Sequence, residues 1–196
     1  QPLLLHLKSD KSYQFTSCNI AELINNIVVL SNANCKLKNI NITFKDQNKE
    51  YLVLGDEQYI GQIFINLITN SIQAIKENGN INITISSDYF INNKQKNIKG
   101  IRIDVKDDGC GINKEKINSL FTPYQSNNDN RNNIGLGLSI VSKIIKDHNG
   151  MITINSEIDK GTTVSTWLPL LVDDVKTETI HKDNDPFSLD DSFFEC

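Results

Sequence analysis

One long segment decides the fold: residues 56–77, with the sequence DEQYIGQIFINLITNSIQAIKE. Asp56 is a suitable N-cap, and Asn78-Gly79-Asn80 is a typical helix end, so the segment predicts one long helix. Its apolar residues recur at helical spacing and form one stripe: Ile60, Ile63, Phe64, Leu67, Ile68, Ile72 and Ile75. Its opposite side carries a polar face made by Asn66, Asn70, Gln73 and Glu77. Amide oxygens suit Mg²⁺, although an isolated pair of asparagines is also typical of a solvated helix face.

The remaining periodicity predicts an α+β fold, in which a mixed, mostly antiparallel sheet is covered by helices on one face. Asn19 is a candidate N-cap for a first helix. Residues 88–99 are a polar excursion between two strands, and residues 107–134 are rich in loop formers. The predicted elements are helices at 19–30, 56–77 and 135–147, and strands at 40–44, 51–53, 81–87, 100–106, 151–156 and 162–168.

Composition limits the classes of function. The chain has 196 residues, a net charge of −4 and a pI near 5.4, which argues against nucleic acid as a partner. No apolar run approaches the roughly 20 residues of a membrane span. The four cysteines form no Cys-x-x-Cys pair, so we expect reduced thiols and a cytoplasmic location. The chain begins with Gln1, and its one methionine is Met151, as expected of a piece of a longer protein.

A glycine loop, Asp107-Asp108-Gly109-Cys110-Gly111, follows the predicted strand 100–106. A carboxylate at a strand end can accept hydrogen bonds from an exocyclic amine such as that of adenine. The glycines permit positive φ and close approach of backbone to a flat ring. Alone, the loop is equally typical of an ordinary β-turn.

A second glycine segment, Gly135-Leu136-Gly137-Leu138, opens the helix at 135–147. Free amides and the positive end of the helix dipole suit phosphate there. The segment lacks the Lys-Ser/Thr of a Walker loop and does not follow a strand as a dinucleotide fingerprint does. A glycine-rich linker into a buried helix is the alternative.

These motifs, in this order, resemble those of the GHKL ATPase superfamily, which includes sensor histidine kinases, heat-shock chaperone ATPases, type II topoisomerases and mismatch-repair ATPases. Residues 56–77 resemble its N box, Asp107 to Ile112 its first glycine box, Phe121 to Tyr124 its F box, and Gly135 to Leu138 its second glycine box. The resemblance covers residues 19–170. It implies a Bergerat fold, a two-layer α/β sandwich with an ATP lid, and the Asn/Asp-rich residues 127–133 are expected to be mobile.

The resemblance also implies roles for individual residues. Asp107 would bind adenine with support from Thr162, Asn70 would ligate Mg²⁺, and Asn66 would assist the metal or the phosphates. Asn66 and Asn70 are thus the expected catalytic residues. The full expected ATP-binding set is Asn66, Asn70, Gln73, Asp107, Gly109, Gly111, Ile112, Phe121, Arg131, Gly135, Leu136, Gly137, Leu138 and Thr162.

Asn66 selects the branch of the superfamily. ATPases that hydrolyse their own nucleotide carry a Glu there, whereas an amide has no basic pKa and cannot act as a general base. The chain departs from the family at Gln73, where Lys or Arg is common, and at Asn133, where Gly is usual. We therefore expect Mg²⁺ and Arg131 to neutralise most of the phosphate charge, and ATP use to be weak.

The resulting expectation is the ATP-binding catalytic domain of a two-component sensor histidine kinase. It would donate the γ-phosphoryl group of Mg·ATP to a histidine on a separate dimerisation domain, and a response regulator would be the next partner. The alternatives are a serine-phosphorylating anti-sigma-factor kinase of the same fold, which acts on a separate protein partner, and a degenerate nucleotide-binding module that signals by ordering of its lid. The expected organisation is 1–18, the end of a dimerisation helix and a linker; 19–170, the catalytic domain; and 171–196, an acidic tail. The full-length protein is expected to be a homodimer and this fragment a monomer.

Overall fold

The computed structural model describes residues 13–46, 50–92, 95–117, 120 and 137–171. Over these residues the helices are α1 (Ile20–Leu37), α2 (Glu57–Ala74), α3 (Lys114–Ile117) and α4 (Gly137–Asp147). The strands are β1 (Thr16–Asn19), β2 (Asn41–Lys45), β3 (Leu52–Gly55), β4 (Asn80–Ile91), β5 (Asn97–Asp107), β6 (Met151–Glu157) and β7 (Gly161–Pro169). No helix in these ranges is long and apolar enough to cross a lipid bilayer.

Five strands form one sheet in the order β2-β4-β5-β7-β6. The β2–β4 pair is parallel, and the other three pairs are antiparallel. Strands β1 and β3 pair separately as an antiparallel ribbon. The predicted α+β class with a mixed, mostly antiparallel sheet is confirmed.

The helices cover one face of the sheet. Along β5, Ile101, Ile103 and Val105 are buried, while Arg102 and Lys106 on the opposite face are more exposed. The buried β5 residues belong to one apolar core with residues of α1, α2 and α4. The sandwich therefore has two layers, and the buried face of β5 is directed toward the helices.

Helix α2 forms where its sequence predicts, but it ends earlier. Asp56 caps it, because its carboxylate accepts hydrogen bonds from the amides of Gln58 and Tyr59 at 3.1 and 3.3 Å. The helix stops at Ala74, since the next residue, Ile75, is extended and buried in the core. The predicted continuation to Glu77 is wrong, and Glu77 is not part of the helical polar face.

Other details differ from the predictions or add to them, chiefly because strand pairing depends on distant partners. The polar excursion at 88–99 is mostly strand, since β4 and β5 remain paired from Ile81–Asp107 to Ile91–Asn97. Residues 16–17, predicted as linker, lie in β1. The strands predicted near 40–44 and 51–53 belong to different sheets. A short helix, α3, also occupies part of the stretch predicted to be loop.

Buried His148 joins the start of α2 to the end of α4. The amide of Asp56 donates to Nε2 of His148 at 3.1 Å, so Nδ1 carries the proton and donates to the carbonyl of Ile144 at 2.8 Å. The Asp56 carboxylate also accepts the amide of Gln14 at 2.9 Å. The entering chain is thereby held against the ends of two helices.

Candidate nucleotide site

Asp107 lies at the end of β5, and its buried carboxylate accepts three hydrogen bonds. Its Oδ2 accepts from the hydroxyl of Ser71 at 3.0 Å. Its Oδ1 accepts from the amides of Gly109 at 3.0 Å and Thr162 at 3.2 Å. Burial raises the pKa of Asp107, and the three donors oppose that rise. The fold thus holds a carboxylate in a fixed orientation between β4 and β7.

The glycine loop after Asp107 is wedged between the end of α2 and the β6–β7 turn. A Cβ on Gly109 would lie 2.8 Å from backbone atoms of Ala74. The amide of Cys110 donates to the carbonyl of Ala74 at 3.0 Å, and the carbonyl of Cys110 accepts from the amide of Asp159 at 2.9 Å. Packing within the protein therefore already requires glycine here, before any ligand is considered.

Gly111 needs glycine for a second reason. Its φ is +68°, in the left-handed region, and a Cβ would lie 2.0 Å from the carbonyl oxygen of Glu157. The next residue, Ile112, donates its amide to the hydroxyl of Ser156 at 2.8 Å. Contacts with the β6–β7 region thus fix the backbone conformation of the loop at Gly111 and Ile112.

Thr162 contacts Asp107 through its backbone amide, whereas its side chain points to Ser156. The Ser156 and Thr162 hydroxyl oxygens are 2.9 Å apart, and Ser156 donates to the carbonyl of Gly161 at 3.0 Å. No sequence motif gives a signal for Ser156. Ser71 does have a signal, because it is a polar residue on the buried stripe of α2, but the predicted site does not include it.

Asn66 and Asn70 lie one turn apart on α2, and both are partly buried. The amide nitrogen of Asn66 is buried and has no hydrogen-bond partner among the residues that the structure describes. Asn70 directly precedes Ser71, the residue that holds Asp107. Helix α2 therefore carries both asparagines and, next to Asn70 in sequence, the serine that binds the buried carboxylate.

The start of α4 lies next to Asn70. A Cβ on Gly137 would be 3.8 Å from the Asn70 amide nitrogen and 3.9 Å from its oxygen. The first turn of a helix has free backbone amides and a partial positive charge. Leu138 is partly buried against the core, which anchors this turn. Gln73 lies exposed at the end of the same polar face of α2.

This arrangement fits a nucleoside triphosphate with a divalent cation. Asp107 can accept from a base amine, the α4 amides can donate to phosphate, and Asn70 offers a hard oxygen ligand. The side-chain nitrogen of Asn66, which has no hydrogen-bond partner among the described residues, is a donor that a phosphate oxygen would satisfy. Of the expected residues, Phe121, Arg131, Gly135 and Leu136 lie outside the described ranges, as do the F box and residues 127–133.

The fold and site define a nucleotide-binding domain of the ATPase type. Residues 55–172 match the model of the histidine kinase-, DNA gyrase B- and HSP90-like ATPase family, and the chain belongs to that family. Its relatives and structural neighbours are histidine kinases, so within the family it is a catalytic domain of the sensor histidine kinase type.

Two curated relatives illustrate the likeness. The chain is 29% identical over 167 residues to sensor histidine kinase ZraS of Escherichia coli (strain K12), covering 85% of this chain and 34% of ZraS. It is 32% identical over 172 residues to sporulation kinase C of Bacillus subtilis (strain 168), covering 87% of this chain and 37% of that protein. The chain thus spans about a third of the length of these relatives.

Solved structures of histidine kinase ThkA share the fold. The isolated ThkA catalytic domain matches with a TM-score of 0.68 and 32% identity, covering 80% of this chain and 96% of that one. ThkA in complex with the response regulator protein TrrA matches with a TM-score of 0.64 and 31% identity, covering 81% and 42%. The Bergerat-type two-layer sandwich predicted from the sequence is confirmed.

Proposed function

We propose that this domain binds Mg·ATP and donates its γ-phosphoryl group to a histidine on a separate dimerisation domain of the same protein. The observation that carries the proposal is the arrangement of two parts of the site. Three hydrogen-bond donors hold the Asp107 carboxylate, and Asn70, which precedes one of those donors in α2, lies against the first turn of α4. A carboxylate held in one orientation can accept a hydrogen bond from a base amine, and the backbone amides of the first turn of α4 suit a triphosphate.

The residues have separate roles in this proposal. Asp107 accepts the adenine amine, while Gly109, Gly111 and Ile112 form the wall of the base pocket. Asn70 holds the cation, and Asn66 donates to a phosphate oxygen or supports the cation. When bound, Mg²⁺ supplies charge neutralisation on the phosphates. Gln73 is neutral, so the phosphate charge has less side-chain compensation than a Lys at that position would give.

Asn66 makes the site a donor of phosphoryl groups rather than a hydrolase. Its amide cannot take a proton from water, so no general base is available at this position of α2. Phosphoryl transfer needs chiefly positioning and charge stabilisation, and the incoming histidine is itself a nucleophile. The domain therefore holds ATP until an acceptor arrives.

The partners follow from the same proposal. The acceptor histidine belongs to an upstream dimerisation domain, so the full-length protein would work as a homodimer on the cytoplasmic side. The complex of ThkA with TrrA supports a response regulator as the receiver of the phosphoryl group.

The test restores the upstream segment and incubates the protein with labelled ATP and Mg²⁺. The expected product carries a label that is labile in acid and stable in base, as a phosphohistidine is. An acid-stable label would indicate the serine-kinase alternative. Binding of ATP without transfer would indicate a degenerate nucleotide-binding module and would contradict the proposal.

A further inference from the structure

Lys38, directly after α1, caps the C-terminal end of α2. Its ammonium donates to the carbonyls of Ile72 at 2.7 Å and Ile75 at 2.9 Å. The last turn of α2 contains no basic residue of its own. A helix end leaves carbonyls without intrahelical partners and carries a partial negative charge, so a cation from a neighbouring element is favourable there.

The same turn of α2 also holds the glycine loop. The carbonyl of Ala74, between the two carbonyls that Lys38 binds, accepts the amide of Cys110 at 3.0 Å. Gly109 packs directly on the backbone of Ala74. Lys38 and the glycine loop thus bind neighbouring carbonyls of one helical turn, and the orientation of that turn determines where the loop lies.

Further hydrogen bonds join the segment around Lys38 to the segment after α2. The carbonyl of Lys38 accepts the amide of Asn78 at 3.0 Å, and the Asn39 side chain donates to that of Asn78 at 2.5 Å. The carboxylate of Asp108 accepts the amide and side chain of Asn80 at 2.7 and 2.8 Å. The end of α1, the end of α2 and the glycine loop form one connected unit.

We propose that Lys38 is a positioning residue for recognition of the adenine base. It holds the last turn of α2, this turn holds the glycine loop, and the loop forms the wall against which the base lies. Lys38 acts through the Ile72 and Ile75 carbonyls and does not touch the nucleotide. This inference rests on the proposed function, namely that the Asp107 pocket takes adenine.

The test compares Lys38→Met, which keeps the apolar stem, with Lys38→Arg, which keeps a cationic donor. Lys36→Met is the matched control, because Lys36 is an exposed lysine in the last turn of α1. Calorimetry measures the affinities for Mg·ADP and for Mg·tripolyphosphate, which lacks the base. We expect Lys38→Met to weaken Mg·ADP binding about tenfold and to leave Mg·tripolyphosphate binding unchanged. Lys38→Arg should recover most of the loss, and Lys36→Met should match the wild type.

A second readout needs no nucleotide. Amide hydrogen exchange at Cys110 should accelerate in Lys38→Met relative to core amides such as that of Ile103. A parallel loss of both affinities, or an unchanged Mg·ADP affinity, would overturn the positioning role. Wild-type protein that binds no Mg·ADP would instead refute the proposed function and the adenine part of this inference. Unchanged Cys110 exchange in Lys38→Met would refute the structural link from Lys38 to the glycine loop, whether or not the protein binds nucleotide.

Discussion

The hydroxyl of Tyr13 donates to the carboxylate of Asp147 at 2.5 Å, across 134 positions of sequence. The Tyr13 ring packs edge-on against Tyr59, with centroids 4.7 Å apart, and against His148 at 5.3 Å. Burial alone would raise the pKa of Asp147, but hydrogen bonds from Lys143 and Tyr13 hold it below its usual value. The entering chain is thus part of the folded domain from Tyr13 onward.

Tyr13→Phe should therefore lower the free energy of unfolding by about 1 kcal/mol, because it removes the hydrogen bond and keeps the ring contacts. Urea unfolding followed by circular dichroism measures the change. Tyr89→Phe is the control, since Tyr89 is 64% exposed and should have little effect. Equal stabilities of the two variants would contradict a docked entry segment.

Asp107→Asn should separate binding from stability. The Asn oxygen can still accept from Gly109 and Thr162, and its amide can donate to the Ser71 hydroxyl, so the variant should unfold at the same or a higher temperature. A charge-assisted bond to the base is lost, so Mg·ATP affinity should fall roughly ten- to hundredfold. Calorimetry and thermal unfolding test both parts, with Asp104→Asn on the same strand as the control. Unchanged affinity would refute the assignment of Asp107.

The raised pKa of Asp107 gives two pH dependences of opposite sign. Base binding uses the ionised carboxylate, so affinity should decrease as the pH falls through the raised pKa, at higher pH than for an ordinary Asp near 3.9. The folded state binds this proton more tightly than the unfolded state. The Asp107 contribution to stability therefore declines as the pH rises from about 3.9 through the raised pKa. Asp107→Asn should lose the Asp107 contribution to both, which appears as the difference between wild type and variant when affinity and unfolding are measured across pH 4 to 8.

Two glycine substitutions should change stability in opposite directions. Gly111→Ala places a side chain at φ +68° against the Glu157 carbonyl, so it should cost at least about 2 kcal/mol. Gly61→Ala lies within α2, where a new Cβ meets the Leu23 side chain at 3.6 Å, an ordinary contact. It should stabilise the fold by about 0.5–1 kcal/mol. Chemical unfolding measures the free energy of unfolding of both variants. A destabilised Gly61→Ala would show that the contact between α2 and Leu23 of α1 cannot accept a methyl group.

Metal removal should identify the role of Asn70. Chelating Mg²⁺ should weaken ATP binding in the wild type and leave adenosine binding unchanged, because only the phosphates share the cation. In Asn70→Ala, ATP binding should be weak and nearly independent of Mg²⁺. Thr69→Ala, an exposed neighbour on the same helix, serves as the control. An Asn70→Ala protein that keeps the full Mg²⁺ dependence would refute Asn70 as the ligand.

Much of the fold could be predicted from the sequence because its strongest signals are local. The apolar stripe and the Asp56 cap predict α2, and alternation along residues 101–105 predicts the buried strand that ends at Asp107. Features that depend on distant partners could not be predicted. Strand β1 exists only through its pairing with β3, and β4 and β5 extend because they pair with each other beyond the apolar stretch.

The same distinction holds for the candidate site. The order of the motifs predicts that Asn70, Asp107 and Gly137 belong to one site. In the structure Asn70 lies next to Gly137, and the residue after Asn70, Ser71, donates a hydrogen bond to Asp107. The sequence gives no signal for Ser156 or Lys38, because the contacts that matter join residues distant in sequence. Ser156 accepts the amide of Ile112, 44 positions away, and Lys38 donates to the carbonyl of Ile72, 34 positions away. Supporting contacts of this kind come from packing rather than from motif chemistry.

Helix α4 spans about 15 Å from Gly137 to Asp147, ten residue steps at 1.5 Å each. One end adjoins Asn70 and the other binds Tyr13, where the chain enters. A single helix therefore sets a fixed distance between the docked start of the described chain at Tyr13 and the backbone amides beside Asn70.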